Sequence, residues 1–127
     1  MREVVVVSGV RTPIGTFGGS LKDVPPTQLG ALVVAEAMKR AAVKGAEVGH
    51  VVFGHVLNTE PKDMYLGRVA AVNGGVAKET PCLTLNRLCG SGLDVVLNFL
   101  RHLLHSVHVQ DLLADLILIF LDAVVGV

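Results

Sequence analysis

Residues 80–92 read TPCLTLNRLCGSG, in which an alternating apolar pattern passes directly into a glycine-flanked bend. The alternation from Thr80 to Leu85 predicts a strand, with Pro81 at its entry. Glycines on both sides of Ser91 favour a tight turn, and a helix is expected to begin near that serine. The segment therefore predicts a strand, a turn and a helix in immediate succession.

Two further strands are expected upstream of this segment. Val4–Val7 are four consecutive valines closed by Ser-Gly, a composition typical of a strand buried on both faces of a parallel sheet. Residues 48–56 form the second predicted strand, although glycines weaken its ends. Between the two, residues 11–26 hold three glycines and three prolines and are interpreted as a long loop.

Two helices are expected among these strands. Thr27 can cap the first, which carries apolar residues at helical spacing and ends near Lys44 and Gly45. Residues 64–73 predict the second, which stops at a Gly-Gly pair. Strands and helices that alternate along a chain indicate an α/β fold with a mostly parallel sheet.

The chain changes character from Asp94 onward, where glycine becomes rare and leucine, isoleucine and valine become dense. This Leu-rich tail is interpreted as two amphipathic helices, and a buried strand at residues 116–121 is the competing interpretation. Aspartates at positions 111, 115 and 122 interrupt the tail, and no charge-free run approaches the ~18 residues of a membrane span. We therefore expect the tail to lie in a core or an interface.

The composition predicts one globular core and argues against several classes of protein. Of the 127 residues, 51% are hydrophobic and 17% are charged, which separates the chain from the disordered class. Eleven acidic and eleven basic residues balance, so the positive charge that nucleic-acid binding requires is missing. The amino-terminal apolar run is too short for a signal-peptide core, and two cysteines suggest neither a disulfide framework nor a zinc ribbon. A reducing compartment is expected, cytoplasmic or inside an organelle.

Cys89 is the candidate nucleophile. Its thiol would project from a bend at the amino end of a helix, where backbone N–H groups and the helix dipole stabilise a thiolate. The neighbouring glycines would let a flat thioester approach the sulfur and let N–H groups point at an oxyanion. Free cysteines are more often inert packing residues, which is the competing interpretation for Cys89 and the preferred one for Cys82.

Four segments carry a resemblance to a known family. Residues 86–93 (NRLCGSGL) resemble the nucleophile motif of thiolases, and residues 7–15 (VSGVRTPIG) resemble their first strand and loop. Residues 51–54 (VVFG) and 67–71 (GRVAA) are similar to the family's second strand and to the helix before the nucleophile strand. The resemblance covers residues 1 to about 93. It implies a partial thiolase-like domain, with residues 94–127 as a divergent tail packed on the same domain.

The resemblance implies thiolase-type acyl transfer, either acetyl-CoA C-acetyltransferase activity or 3-ketoacyl-CoA thiolysis, through an acyl-Cys89 intermediate. Gly90, Ser91 and Gly92 would support the turn and the oxyanion. Coenzyme A thioesters would be the substrates, and no cofactor would be tightly bound.

The family's Gly-His-Pro, Asn-Glu-His and Cys-x-Gly-Gly-Gly motifs are missing from this sequence. The chain would therefore be incomplete on its own, and whether it is an enzyme stays open. The alternative is a non-catalytic truncated fragment that associates with full-length thiolase subunits. Partners are expected to be an acyl-CoA and either a second copy of the chain or a thiolase, with no nucleic acid and no membrane.

The histidines are not expected to bind metal. His102, His105 and His108 recur every three residues, a spacing that spreads the imidazoles around a helix instead of pointing them at one ion. His50 and His55 are expected to be ordinary side chains near the ends of a strand.

The loop glycines and two arginines are interpreted as structural. Gly15, Gly18 and Gly19 match neither a P-loop nor a dinucleotide fingerprint, and turn geometry explains them. Arg11 and Arg68 are expected to be structural or interface groups and not substrate clamps.

Overall fold

The computed structural model describes residues 5–105, and for residues 102–105 it describes the helical backbone alone. The regular elements within this range are α1 (Pro26–Ala41), a 3-10 helix (Gly45–Glu47), β1 (Val51–Gly54), a second 3-10 helix (Pro61–Tyr65), α2 (Leu66–Asn73), β2 (Cys82–Leu85) and α3 (Ser91–His105). Strand, helix, strand and helix follow α1 in that order, which confirms the α/β class.

The two strands pair in parallel, from Val51 opposite Cys82 to Gly54 opposite Leu85. The backbone N–H of His55 donates to the carbonyl of Leu85 at 2.9 Å and extends the pairing past the end of β1. Parallel neighbours need a crossover connection, and α2 supplies it. The carboxyl ends of β1 and β2 therefore lie side by side at one edge of the sheet.

One face of the sheet packs against α1 and α2. The buried side chains that form this core are Val33, Val34, Ala37, Met38, Val48, Val51, Phe53, Leu66, Ala70, Ala71 and Val76. A Cβ atom on Gly30 would lie 2.8 Å from the Cβ atom of Ala70, so α1 and α2 approach each other too closely there for a larger residue. Removal of this apolar surface from water is the main favourable contribution to the fold.

The opposite face of the sheet is covered by α3. Side chains alternate along a strand, so Val52 points away from its neighbours Val51 and Phe53. Val52 packs with Val95 and Phe99 of α3, and Leu85 packs against this second cluster. The arrangement is helices, sheet and helix in successive layers.

The helix α3 passes without a break through position 94, where the character of the sequence changes. The first of the two amphipathic helices predicted after Asp94 therefore continues the helix that begins at Ser91, and the second falls outside the described residues. Residues from 106 onward, including the alternative strand at 116–121, lie outside the described residues. No helix within residues 5–105 has the length and apolar character needed to cross a membrane.

The strand predicted at Val4–Val7 is wrong for the residues described. Val5, Val6 and Val7 adopt no regular structure and are exposed. In the described part of the chain the sheet consists of β1 and β2, and neither pairs with these valines. A β-branched run becomes a strand only where a neighbour completes its backbone hydrogen bonds.

The first helix begins and ends earlier than expected. Pro25 occupies the capping position with Pro26 inside the first turn, so Thr27 is not the cap and lies buried within the helix. The helix stops because Ala42 adopts a left-handed φ of 55°, before the predicted end at Lys44 and Gly45.

The remaining elements occur where they were predicted, with shorter bounds. The strands expected at 48–56 and 80–85 are confined to Val51–Gly54 and Cys82–Leu85. The helix expected at 64–73 starts as a 3-10 turn and becomes α-helical at Leu66. It stops at Gly74, as the Gly-Gly pair predicted.

Candidate nucleophile site

The turn between β2 and α3 contains a residue in an unfavourable backbone conformation. Five residues, 86–90, separate the end of the strand from the start of the helix. Leu88 has a φ of 50°, in the left-handed region that costs a residue with a side chain ~1–2 kcal/mol. Cys89 follows immediately, so the backbone of Leu88 sets the direction in which the cysteine side chain leaves the turn.

Asn86 holds the amino side of Leu88. Its Oδ1 accepts a hydrogen bond from the Leu88 N–H at 2.9 Å. Its Nδ2 donates to the carbonyl of Val56 at 3.0 Å, which ties the turn to the segment that follows β1. The side chain of Asn86 thus joins the two neighbouring strand ends.

Ser91 holds the carboxyl side of Leu88. Its Oγ donates to the Leu88 carbonyl at 2.7 Å and accepts from the Arg87 N–H at 2.9 Å. The backbone N–H of Ser91 donates to the same Leu88 carbonyl at 3.0 Å. Each such bond contributes ~0.5–1.5 kcal/mol, so together with the Asn86 bond they offset the cost of the left-handed conformation.

The turn packs against the end of β1. Ser91 is buried, and a Cβ atom on Gly54 would lie 3.0 Å from the Ser91 Cβ atom. A side chain at position 54 would push the start of α3 away from the sheet. The glycine at the end of β1 therefore lets the turn sit directly on the strand.

The thiol of Cys89 is free and its residue is exposed. The carbonyl of Gly90 accepts from the Asp94 N–H at 3.0 Å, the first bond of α3, which puts Cys89 just ahead of the helix. The N-terminal end of a helix carries a partial positive charge and unpaired N–H groups. The Cys89 side chain is open to a reactant from solvent.

Cys82 occupies a different environment. It is half-buried in β2, packs against the main core, and its thiol donates to the Thr80 carbonyl at 3.5 Å. The preferred interpretation of Cys82 as a packing residue is confirmed. The two cysteines are unlinked, so either can be changed without breaking a disulfide.

The profile of the N-terminal domain of thiolases matches residues 4–111 of this chain. The chain belongs to the thiolase family. The β-ketothiolase BktB of Cupriavidus necator is 73% identical over 97 residues, which are 76% of this chain and 25% of that protein. The human mitochondrial 3-ketoacyl-CoA thiolase is 41% identical over 98 residues, 77% of this chain and 25% of its own length. The chain thus spans about a quarter of the length of the thiolases that it matches.

Solved thiolase structures share the fold of this chain. The crystal structure of human mitochondrial 3-ketoacyl-CoA thiolase in complex with CoA superimposes with a TM-score of 0.74 at 39% identity. The superposition covers 77% of this chain and 25% of the human one. The partial thiolase-like α/β domain expected from the sequence is therefore confirmed.

Arg68 is structural, as predicted. Its guanidinium donates to the Thr80 carbonyl at 2.9 Å and to the Lys78 carbonyl, and so fastens α2 to the segment that enters β2. Arg11 is exposed, and its guanidinium donates to the adjacent Thr12 carbonyl at 3.2 Å. The loop glycines also serve turn geometry, because Gly18 has a φ of 64° and the Gly19 N–H donates to the Thr16 carbonyl at 2.9 Å.

An open groove lies elsewhere on the surface, lined by residues 9–14 and Arg40. The Nε of Arg40 donates to Oε1 of Glu36 at 2.7 Å, and its Nη1 donates to the Gly9 carbonyl at 3.4 Å. The charge of Arg40 is therefore balanced within α1, and Cys89 does not line this groove.

A buried pair between His55 and Asp63 was not anticipated from the sequence. Their side chains are 7% and 0% exposed, and Nε2 of His55 lies 3.9 Å from Oδ2 of Asp63. That same Oδ2 accepts from the Thr59 N–H at 2.6 Å, the Thr59 hydroxyl at 2.8 Å and the Glu60 N–H at 3.1 Å. His55 was expected to be an ordinary strand-end residue, and this buried pairing departs from that expectation.

Burial and hydrogen bonding act in opposite directions on Asp63. Burial by itself raises the pKa of the carboxyl group, but the hydrogen bonds from Thr59 and Glu60, with a smaller attraction to His55, hold the pKa below its ordinary value. A sequence signal for the cluster exists, since a carboxylate shortly after Thr-Glu-Pro can accept the N–H groups left open where a helical turn begins.

The side chains of His102, His105 and His108 lie outside the described part of the structure, so the prediction about them stays a prediction. Among the described residues, no group of three or more histidine, cysteine, aspartate or glutamate side chains has an arrangement that could hold a metal ion.

Proposed function

We propose that this chain carries the acyl-accepting nucleophile of a thiolase-type acyl transfer, with Cys89 as the acylated residue. The observation that supports this most directly is the exposed thiol, which follows left-handed Leu88 at the N-terminal end of α3. Relatives of the chain include proteins named β-ketothiolase and acetyl-CoA acetyltransferase. An acyl-coenzyme A is therefore the substrate class, and no tightly bound cofactor is required.

The proposed step is a thioester exchange. The Cys89 sulfur attacks the carbonyl carbon of the acyl-CoA, and a new S–C bond forms as the bond from that carbon to the coenzyme A sulfur breaks. Coenzyme A leaves as a thiolate and takes up the proton that the cysteine lost. Gly90 and Gly92 carry no side chains that would block the thioester, and N–H groups at the start of α3 can stabilise the oxyanion, with Ser91 supporting the turn.

The chain is proposed to perform this half of the reaction only. The family resemblance assigns activation of the nucleophilic cysteine to a Gly-His-Pro histidine, and acid/base catalysis to a second cysteine in a Cys-x-Gly-Gly-Gly motif. The sequence contains neither motif. In the proposal, a full-length thiolase subunit supplies those groups. The division into a thiolase-like segment, residues 1–93, and a divergent tail, residues 94–127, is part of the same proposal.

A second candidate function is association without catalysis. The described residues expose several large apolar side chains, among them Ile14 at 90%, Phe17 at 82% and Val6 at 72%. Apolar surface of this kind is typical of a protein interface. The fragment would then bind a second copy or a thiolase subunit without being acylated.

Intact-protein mass spectrometry after exposure to acetyl-CoA separates the two functions. We expect the wild-type chain to gain the mass of one acetyl group, Cys82→Ser to gain it equally, and Cys89→Ser to gain nothing. Cys82→Ser is the matched control because it removes the other thiol of the chain. A folded wild-type chain that stays unmodified, or acylation that persists in Cys89→Ser, would overturn the proposal.

A further inference from the structure

We propose that Asn86 and Ser91 act as positioning residues that hold Leu88 left-handed and thereby aim the Cys89 thiol. This inference rests on the proposed function, because it concerns the same nucleophile. The side chains of Asn86 and Ser91, together with the Leu88 peptide groups they bind, form a unit that we call the Leu88 clamp.

The Leu88 clamp grips both sides of one residue. The Leu88 N–H donates to Asn86, and the Leu88 carbonyl accepts both the hydroxyl and the backbone N–H of Ser91. A leucine freed from these bonds would leave the left-handed region, which is unfavourable for any residue with a Cβ atom. Rotation there redirects the Cα–Cβ bond of the next residue, Cys89.

The Leu88 clamp is anchored to the sheet and not only to the turn. Asn86 reaches back to the Val56 carbonyl, and the buried Ser91 rests on Gly54 at the end of β1. The two positioning side chains thus fix the thiol relative to the strand ends. Precision of this kind matters for catalysis, because a small misplacement of a reacting atom can cost on the order of a hundredfold in rate.

The hydroxyl of Ser91 has two tasks that a methyl group cannot perform. It donates to Leu88 and accepts from Arg87 at the same time. Ser91→Ala removes both bonds, whereas Ser91→Thr keeps the oxygen and its hydrogen. Threonine rescue therefore distinguishes loss of the hydroxyl from a general response to substitution.

Thr80→Val is the matched control. Thr80 is 6% exposed and Ser91 5%, and the Thr80 hydroxyl also donates to a backbone carbonyl, that of Val48 at 2.9 Å. Thr80 precedes β2, at the opposite end of the strand from the turn. The control removes a buried hydroxyl bond without touching the Leu88 clamp.

The test is the single-turnover rate of Cys89 acylation by acetyl-CoA, with circular dichroism on every variant. We expect Ser91→Ala to slow acylation on the order of ten- to a hundredfold, Ser91→Thr to restore most of the rate, and Thr80→Val to leave it unchanged. If Ser91→Ala fails to fold, Asn86→Ala decides the question, since Asn86 is exposed and its variant should slow acylation while the fold persists.

Amide hydrogen exchange at Leu88 provides a readout that needs no acyl-CoA. We expect exchange to become faster in Asn86→Ala, because the acceptor of that N–H is removed, and to stay unchanged in Thr80→Val. If exchange at Leu88 becomes faster in Asn86→Ala but acetyl-CoA never acylates the wild-type chain, the proposed function is wrong while the clamp is supported. Folded Asn86→Ala and Ser91→Ala variants that acylate at the wild-type rate would overturn the clamp, as would a rate loss of equal size in Thr80→Val.

Discussion

Leu88 and Ala42 both have left-handed backbones, and they are the non-glycine residues in the described range that do. Ala42 ends a helix, where its N–H donates to the Lys39 carbonyl. Leu88 is supported from both sides by side chains. Strained residues that the surroundings hold in place occur often at functional sites, whereas a left-handed residue after a helix is a common way to stop it.

Asp63 makes stability depend on pH. Because the folded pKa of Asp63 is lowered, the carboxylate stabilises the fold above the unfolded pKa of 3.8, and this stabilisation is lost as the pH falls through the folded pKa. We expect Asp63→Asn to lower the free energy of unfolding by about 1–3 kcal/mol at pH 7, since it weakens three partly buried hydrogen bonds.

The measurement for Asp63 is urea unfolding at several values between pH 7 and pH 3. The difference between wild type and Asp63→Asn should shrink toward the acid end. Asp23→Asn is the control, because Asp23 is an exposed aspartate outside the cluster. A difference that stays constant across the pH range would contradict the assignment.

At the scale of elements, the end of α1 can be strengthened. Ala42 is exposed and left-handed, and glycine adopts that conformation without steric cost. We expect Ala42→Gly to raise the free energy of unfolding by about 0.5–1 kcal/mol, after allowance for the greater entropy of the unfolded chain. Ala35→Gly, an exposed position within α1, should lower it by a similar amount.

Thermal or urea unfolding of Ala42→Gly and Ala35→Gly checks that the first variant raises the free energy of unfolding and the second lowers it. Equal destabilisation by both glycines would show that the left-handed turn does not limit the stability of α1.

Helices and strands whose start, end or periodicity depends on residues close along the chain could be predicted from the sequence. The Gly-Gly pair that stops α2 and the alternation of β2 both act between residues close along the chain, and both elements are present. The valine run at Val4–Val7 has an equally strong propensity, but a strand needs a neighbour and the described residues supply none. Propensity without a partner does not make a sheet.

At the scale of the whole molecule, the exposed apolar side chains predict association. We expect the wild-type chain to form oligomers whose size increases with concentration in analytical ultracentrifugation. The double variant Ile14→Ser, Phe17→Ser should shift the distribution toward the monomer, because it removes the two most exposed of the large apolar side chains in the described range.

Lys22→Ser is the control, because it introduces a serine into the same loop without removing an apolar side chain, and it should leave the oligomer distribution unchanged. A double variant that associates as strongly as the wild type would exclude this loop as the interface. Mixing the chain with full-length β-ketothiolase of Cupriavidus necator would then test whether a thiolase subunit is the preferred partner.

Residues 80–92 alone were enough to predict a strand, a tight turn that contains Cys89, and a helix, because glycine placement and apolar periodicity act over a few residues. That Cys89, Gly90, Ser91 and Gly92 lie at this junction is confirmed, while their roles stay proposals. The tertiary structure decided three features: the left-handed φ of Leu88, the hydrogen bond from Asn86 to the Val56 carbonyl, and the buried His55–Asp63 pair. Asn86 meets the Val56 carbonyl across thirty positions of sequence only because parallel strands bring their carboxyl ends to one edge, and no local preference encodes that contact.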